Sequence, residues 1–129
     1  MASDSSIPIS GFRAGGDLST KQFYIMKAHT TANQVTTCTG ATDVPVAILY
    51  DKPDTANDPA DLRGFTAGTV VKVKVGAAGL TAGFVGTDAS GLAVTKVAEN
   101  DLAFGHVDTT YSSGDIAEVF CVGVMSLPA

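Results

Sequence analysis

The sequence lacks tryptophan altogether, has only two cysteines, and fills just 16% of its 129 positions with charged residues. Its eight lysines and arginines are scattered and its net charge is −5. A nucleic-acid partner is therefore not expected, because neutralising phosphates requires clustered basic residues. No apolar run reaches the roughly 18 residues of a membrane-spanning helix, so no membrane partner is expected either.

A secretion signal is also missing from the sequence. Met1 is followed by a polar, acidic stretch instead of a basic segment and an apolar block, so folding in a cytoplasm is expected. Cys38 and Cys121 lie far apart and form no CxxC pair. In a cytoplasmic chain we expect them to be reduced, buried thiols. A disulfide between them stays an alternative, because the sequence does not give their Cα separation.

The motifs of common enzyme classes are absent as well. There is no GxSxG, HExxH or GxxxxGK[ST] motif, and the spacing of Gly76, Gly79 and Gly83 does not match a dinucleotide-binding loop. His29 and His106 both fall in strand patterns, where a lone histidine is more often structural than catalytic. We therefore predict that the protein is not an enzyme and has no catalytic residue and no cofactor.

The longest polar stretch, residues 51–67, contains two prolines and four aspartates. The aspartates lack the alternation and the glycine of a calcium-binding loop. We interpret the stretch as a solvated acidic loop with a short turn over residues 59–63, and we predict no metal site.

Residues 68–94 indicate the fold class most clearly. Their first part is an alternation of apolar and polar residues, Val71, Lys72, Val73, Lys74 and Val75. Glycine-rich turns follow, and residues 87–91 have the composition of a hairpin turn. No helix fits between these turns. Alanine, glycine, threonine and valine dominate the whole chain, so the sequence predicts a single all-β domain.

Further strands are predicted at residues 22–29, 33–38, 44–50, 102–107 and 115–125. The segment 46–50 is apolar throughout, which is typical of a strand that is covered on both sides. The last strand is also apolar on both faces and needs a second cover, which in so small a domain can be another subunit. The candidate subunit interface consists of Phe120, Val122 and Val124.

Residues 1–16 do not resemble a regular element of the core, and Gly15-Gly16 is a flexible break. Two interpretations remain open. The segment is either a disordered terminus or an extended arm that docks on another chain. The second interpretation is favoured by a cluster that is unusual for a solvated tail, Ile7, Pro8, Ile9, Phe12 and Arg13.

In their order and spacing, several of these segments resemble the head-decoration, or cement, proteins of tailed bacteriophages. The segments are DLSTKQFYIMK (17–27), VPVAILYDKP (44–53), GTVVKVKVGAAGLTAGFVGTDASGLAV (68–94), FGHV (104–107) and SSGDIAEVFCV (112–122). The resemblance spans residues 17–125. It implies a small β-barrel-like or β-tulip-like domain, residues 17–129, preceded by an extended N-terminal arm, residues 1–16.

The resemblance also implies a function. Such proteins bind the outer surface of the phage head as trimers, bridge neighbouring capsomers and stabilise the shell. The expected partners are the major capsid protein and the chain itself, and the expected location is the virion surface after folding in the host cytoplasm. The arm residues would then contact the capsid. The alternative is a β-barrel binding module of a cell-surface or carbohydrate-binding type, which would need exposed aromatic residues on one face.

Overall fold

Every regular element of the described chain is a β-strand, as the sequence predicts. The computed structural model describes residues 4–128, and no helix occurs among them. The eleven strands are β1 (Pro8–Ile9), β2 (Arg13–Ala14), β3 (Ile25–Ala28), β4 (Gln34–Thr37), β5 (Ala47–Leu49), β6 (Leu62–Arg63), β7 (Val70–Lys74), β8 (Gly83–Thr87), β9 (Ala93–Thr95), β10 (Leu102–Val107) and β11 (Ile116–Ser126).

The strands form two sheets that are not closed into a barrel. The six-stranded sheet has the order β1-β6-β5-β3-β4-β2, and the five-stranded sheet has the order β7-β11-β10-β8-β9. Neighbouring strands are antiparallel except for the short parallel pair of β2 and β4. The prediction of an all-β fold is confirmed, and its barrel-like closure is replaced by two packed sheets.

The main core lies between the two sheets. The five-stranded sheet contributes the inward valines of β7 and the inward residues Ala117, Val119 and Cys121 of β11, all essentially inaccessible to solvent. Phe104 stacks on Phe65 at 4.3 Å between ring centroids and joins the two halves of the core. Burying such side chains is worth roughly 1.5–3 kcal/mol each, which is the main force that holds the sheets together.

The six-stranded sheet has a second core on its other face. Ile25 and Ile48 point to the main core, whereas their neighbours Met26, Ala47 and Leu49 belong to the second cluster. All three residues of β5 are fully buried, as the sequence predicts for a strand covered on both sides.

The N-terminal segment completes this second core, which corrects the sequence interpretation that residues 1–16 form no regular part of it. Residues 8–9 pair with β6 and residues 13–14 pair with β4. Ala14 is fully buried, and Ile9 and Phe12 pack against the same cluster. The physical reason is that the second face of the six-stranded sheet is apolar and the chain covers it with its own N-terminal residues. Residues 1–3 lie outside the described residues.

The acidic stretch 51–67 also differs from the interpretation as a solvated loop with a turn over residues 59–63. It contains β6, whose Leu62 is fully buried, and the core residue Phe65. The hairpin chemistry at residues 87–91 is as predicted, since Asp88 Oδ1 accepts hydrogen bonds from the backbone of Ser90 and Leu92, and Gly91 has φ +78°.

Tyr50 connects the six-stranded sheet to β7, which is an edge strand of the five-stranded sheet. Its Oη accepts a hydrogen bond from the Lys72 N–H at 2.7 Å and donates one to Asp4 at 3.0 Å. Two further N–H groups of β7 donate hydrogen bonds to groups outside the five-stranded sheet. The Val70 N–H donates to Ser5 Oγ, and the Lys74 N–H donates to the Phe23 carbonyl oxygen. These bonds occupy an edge that could otherwise pair with another strand.

We expect Tyr50→Phe to lower the free energy of unfolding by about 1–2 kcal/mol, because it leaves the Lys72 N–H without an acceptor. Tyr111→Phe is the matched control, since Tyr111 Oη accepts only a long hydrogen bond of 3.5 Å from Glu118 N. Chemical denaturation of both variants measures the difference. Equal stability of the two variants would contradict the bridging role of Tyr50.

The pairing of β10 with β11 contains an irregularity at Gly105. Gly105 pairs with Cys121 and Ala103 pairs with Met125, so four residue steps on β11 match two steps on β10. A Cβ on Gly105 would collide with the Val119 side chain and lie 2.8 Å from the Phe120 carbonyl oxygen. The glycine therefore allows the two strands to approach each other.

We expect Gly105→Ala to destabilise the protein by about 2–3 kcal/mol through overpacking. Gly16→Ala should have little effect, because a Cβ at Gly16 would meet no atom within 4 Å. Urea denaturation of the two variants provides the test, and a stable Gly105→Ala protein would be inconsistent with this close approach.

Both cysteines are buried free thiols, as the sequence predicts. Burial raises the pKa of Cys38 to about 11 and also raises the pKa of Cys121. We expect both thiols to resist alkylation at mildly alkaline pH in the native protein and to react fully once the chain is unfolded. Mass spectrometry should then show two adducts without prior reduction, and a mass that indicates a disulfide would contradict the result.

Candidate interaction surface

The outer face of the five-stranded sheet carries a row of apolar and aromatic side chains that crosses four strands. Val70 on β7 pairs with Phe120 on β11, Phe120 pairs with His106 on β10, and His106 pairs with Phe84 on β8. The Phe84 and His106 rings meet edge to face at 5.7 Å. We call these four residues the apolar row.

Phe120 is the most open member of the apolar row, with 50% of its surface exposed. Ile116, two outward positions away on the same strand, is 42% exposed. Contiguous exposed apolar groups of this kind are typical of interaction sites, whereas single exposed apolar residues are common on any surface.

Beside the apolar row, at the next outward positions along the strands, charged residues lie with basic groups on the side of β7 and acidic groups on the side of β10. Lys72 and Lys74 project from the edge strand β7, and Lys72 pairs in register with Glu118 on β11. On the other side, Asp108 follows β10 and its Oδ1 lies 3.2 Å from Nδ1 of His106. The outer face is thus basic along β7 and acidic toward the end of β10.

An open cleft of about 380 Å³ lies beside the apolar row. It is bordered by Glu118, Asp108, Phe120, Val70, His106 and Tyr111. The cleft combines aromatic surface with two carboxylates. Chemically, it can accept apolar groups and basic or hydroxyl-bearing groups of a partner.

The structure separates the three residues that the sequence proposes as a subunit interface. Phe120 lies in the apolar row, but Val122 and Val124 lie in the irregular part of β11 that faces the single residue Phe104. Gly123 between them has φ +79°, which fits the local irregularity, and Val124 is 42% exposed.

Sequence reasoning missed Val70 and His106 as neighbours of Phe120, and Phe84 as the neighbour of His106. They come from three different strands, and only the pairing register brings them together. The available signal was the alternation in each strand, which identifies the outward positions but not their partners.

The structure divides the proposed arm residues into two groups. Ile9 and Phe12 pack on the second core and are partly buried. Ile7, Pro8 and Arg13 are exposed, and 46% of the Ile7 surface is accessible. The segment is further held by Asp4, whose pKa is lowered because hydrogen bonds from Ser6 and Tyr50 outweigh the effect of burial.

The two histidines take different places. His29 Nδ1 accepts a hydrogen bond from the Thr31 N–H, and His106 lies in the apolar row. Within residues 4–128, no three His, Cys, Asp or Glu side chains come together in a group that could hold a metal ion. That part of the chain also contains no helix long and apolar enough to cross a membrane.

Neither a family model nor a curated protein matches the chain. Among solved structures, the fold is similar to the crystal structure of the N base of head fiber gp8.5 in bacteriophage phi29. The TM-score is 0.68 at 13% sequence identity, and the match covers 89% of this chain and 92% of the other. At this identity, the similarity shows that the two chains share a fold.

Proposed function

We propose that this protein is a structural component of a phage virion, which binds the outer surface of the head as a homotrimer and stabilises the shell. The observation that carries the proposal is the fold shared with a phage head fiber base over nearly the whole of both chains. The order of the segments in the sequence, which resembles that of head-decoration proteins, supports the same assignment.

Other features fit this role. The net charge of −5 suits a position outside a DNA-filled shell. A cementing protein works by contact alone, so it requires a stable domain and binding surfaces, and we propose no catalytic role. Such a protein would fold in the host cytoplasm and join the particle there.

The proposed partner is the major capsid protein, and we propose the exposed part of the N-terminal segment as one of the contact surfaces. Ile7, Pro8 and Arg13 present two apolar groups and one cation to a neighbour. Three copies in a trimer would bind together, so a modest contact in each copy is strengthened by effective concentration.

A second candidate function is a carbohydrate-binding module. The observation that favours it is the gathering of Phe84, His106 and Phe120 on one face beside two carboxylates. Calorimetric titration with surface polysaccharides of the host would detect such binding.

The test of the proposed function uses the phage that encodes the chain. Cryo-electron microscopy of purified mature particles should reveal the two-sheet domain in groups of three on the outer surface of the head. Particles without the protein should release their DNA at a lower temperature. Absence of the protein from purified particles would refute the proposal.

For the arm contact, we expect Ile7→Asp to reduce occupancy on heads about tenfold or more, because each arm loses the burial of one apolar side chain. The fold should be retained, since Ile7 is half exposed and its contact with Gly64 is made by the backbone. Val97→Asp is the matched control. Val97 is an 85% exposed apolar residue that follows β9, an edge strand of the five-stranded sheet, whereas the N-terminal segment belongs to the six-stranded sheet. Binding of labelled protein to heads that lack it measures occupancy, and equal binding of the two variants would exclude the arm contact.

A further inference from the structure

We propose that the outer face of the five-stranded sheet is the contact between copies of this chain, which pack around a rotation axis parallel to β11. This inference rests on the self-association in the proposed function and adds the surface and the arrangement. Of the interface predicted from the sequence at Phe120, Val122 and Val124, it keeps Phe120 and extends the contact across the strands along the apolar row.

The first argument is that the part of this face around Phe120 and Ile116 is exposed in the described chain. The six-stranded sheet is buried on both sides, by the five-stranded sheet and by the second core. The outer face of the five-stranded sheet is covered near β9, where the buried Lys96 side chain lies over Gly86, but on β11, next to the edge strand, Phe120 stands half exposed. Aromatic residues at the centre of a patch with a charged rim are typical of protein interfaces.

The second argument concerns the position of each residue along the strand direction, which we call its level. The apolar row runs across the strands at one level, and the Lys72–Glu118 pair forms a charged row at the next outward level. A rotation about an axis parallel to the strands leaves the level of every residue unchanged. Such an axis therefore places the apolar row of one copy against the apolar row of the next.

The third argument is the distribution of charge from side to side. Lysines lie along β7, and the carboxylates Glu118 and Asp108 lie toward β10. The same axis brings the lysine side of one copy to the carboxylate side of its neighbour, and opposite charges meet. Contacts between two different halves of one face are heterologous and close into a ring, which is the arrangement that a trimer requires.

A tryptophan at position 120 makes this contact visible, because the chain has no other tryptophan. In Phe120→Trp, emission should shift to shorter wavelength as protein concentration rises, in parallel with the mass from sedimentation equilibrium. Phe120→Asp should weaken association roughly 10- to 100-fold. Val44→Asp, at a 61% exposed residue that precedes β5 in the other sheet, should associate like the wild type.

A mixing experiment tests the charge arrangement. Lys72→Glu and Glu118→Lys should each weaken self-association about fivefold, since each creates like charges between neighbouring copies. An equimolar mixture of the two variants should associate more strongly than either variant alone, because a Lys72→Glu copy beside a Glu118→Lys copy restores opposite charges. Mixing leaves the repulsion between residues 72 and 118 within each chain unchanged, so recovery reports contacts between chains.

The outcomes separate the inference from the proposed function. Suppose that the wild type associates, that Phe120→Asp associates as strongly as the wild type, and that the mixture associates no better than the single charge variants. In that case the proposed face is wrong and the proposed function stands. A wild type that stays monomeric in solution up to about millimolar concentration also overturns the inference. If a saccharide shifts the emission of a monomeric Phe120→Trp protein, that result overturns the inference too and favours the carbohydrate-binding candidate. Absence from phage heads refutes the proposed function, whatever the result in solution.

Discussion

The fold depends on the burial of both faces of β5. Its three residues are inaccessible to solvent, and Ile48 points to one core while Ala47 and Leu49 point to the other. One cover is the inner face of the five-stranded sheet. The other is completed by the N-terminal segment. This segment loses conformational entropy when it buries Ala14 and packs Ile9 and Phe12 against the second core. An edge segment that resembles a detachable arm in the sequence is thus part of the core in the folded chain.

Once these covers are in place, two regions retain exposed apolar residues, apart from the separate Val44 and Val97. One is the exposed side of the N-terminal segment, and the other is the outer face of the five-stranded sheet. Tyr50 is important to the first region because its hydroxyl holds Asp4 and a backbone group of β7 at the same time. The edge of β7 is closed by these side-chain and backbone contacts, so association through the face is favoured over pairing of exposed strand edges.

This distribution of surfaces agrees with a protein that acts by contact. The chain shares its fold with a phage head fiber base, and the proposed function rests on that similarity and on the order of turns and strands in the sequence. Besides His106, the outer face carries Lys72 and Lys74 on β7 and the carboxylates Glu118 and Asp108 toward β10, an order that would give direction to the proposed assembly. A site of this kind derives its specificity from the positions of charges around an apolar centre, and each surface ion pair adds little energy by itself.

The sequence by itself determined the strands in which apolar and polar residues alternate, and their inward and outward sides, because alternation along a strand is a local property; it did not predict β1, β2 or β6. The valines of β7, the buried side of β11 and the two-sided burial of β5 were all predictable in this way, as was the all-β class. The tertiary structure decided what depends on residues far apart in the chain. The pairing register placed Phe120, Val70, His106 and Phe84 in one row. The N-terminal segment packs on the core because the second face of the six-stranded sheet is apolar and would otherwise be exposed to water. The irregularity between Ala103 and Gly105 leaves Val122 and Val124 opposite the single residue Phe104, and this two-residue shift arises only when β10 and β11 pair.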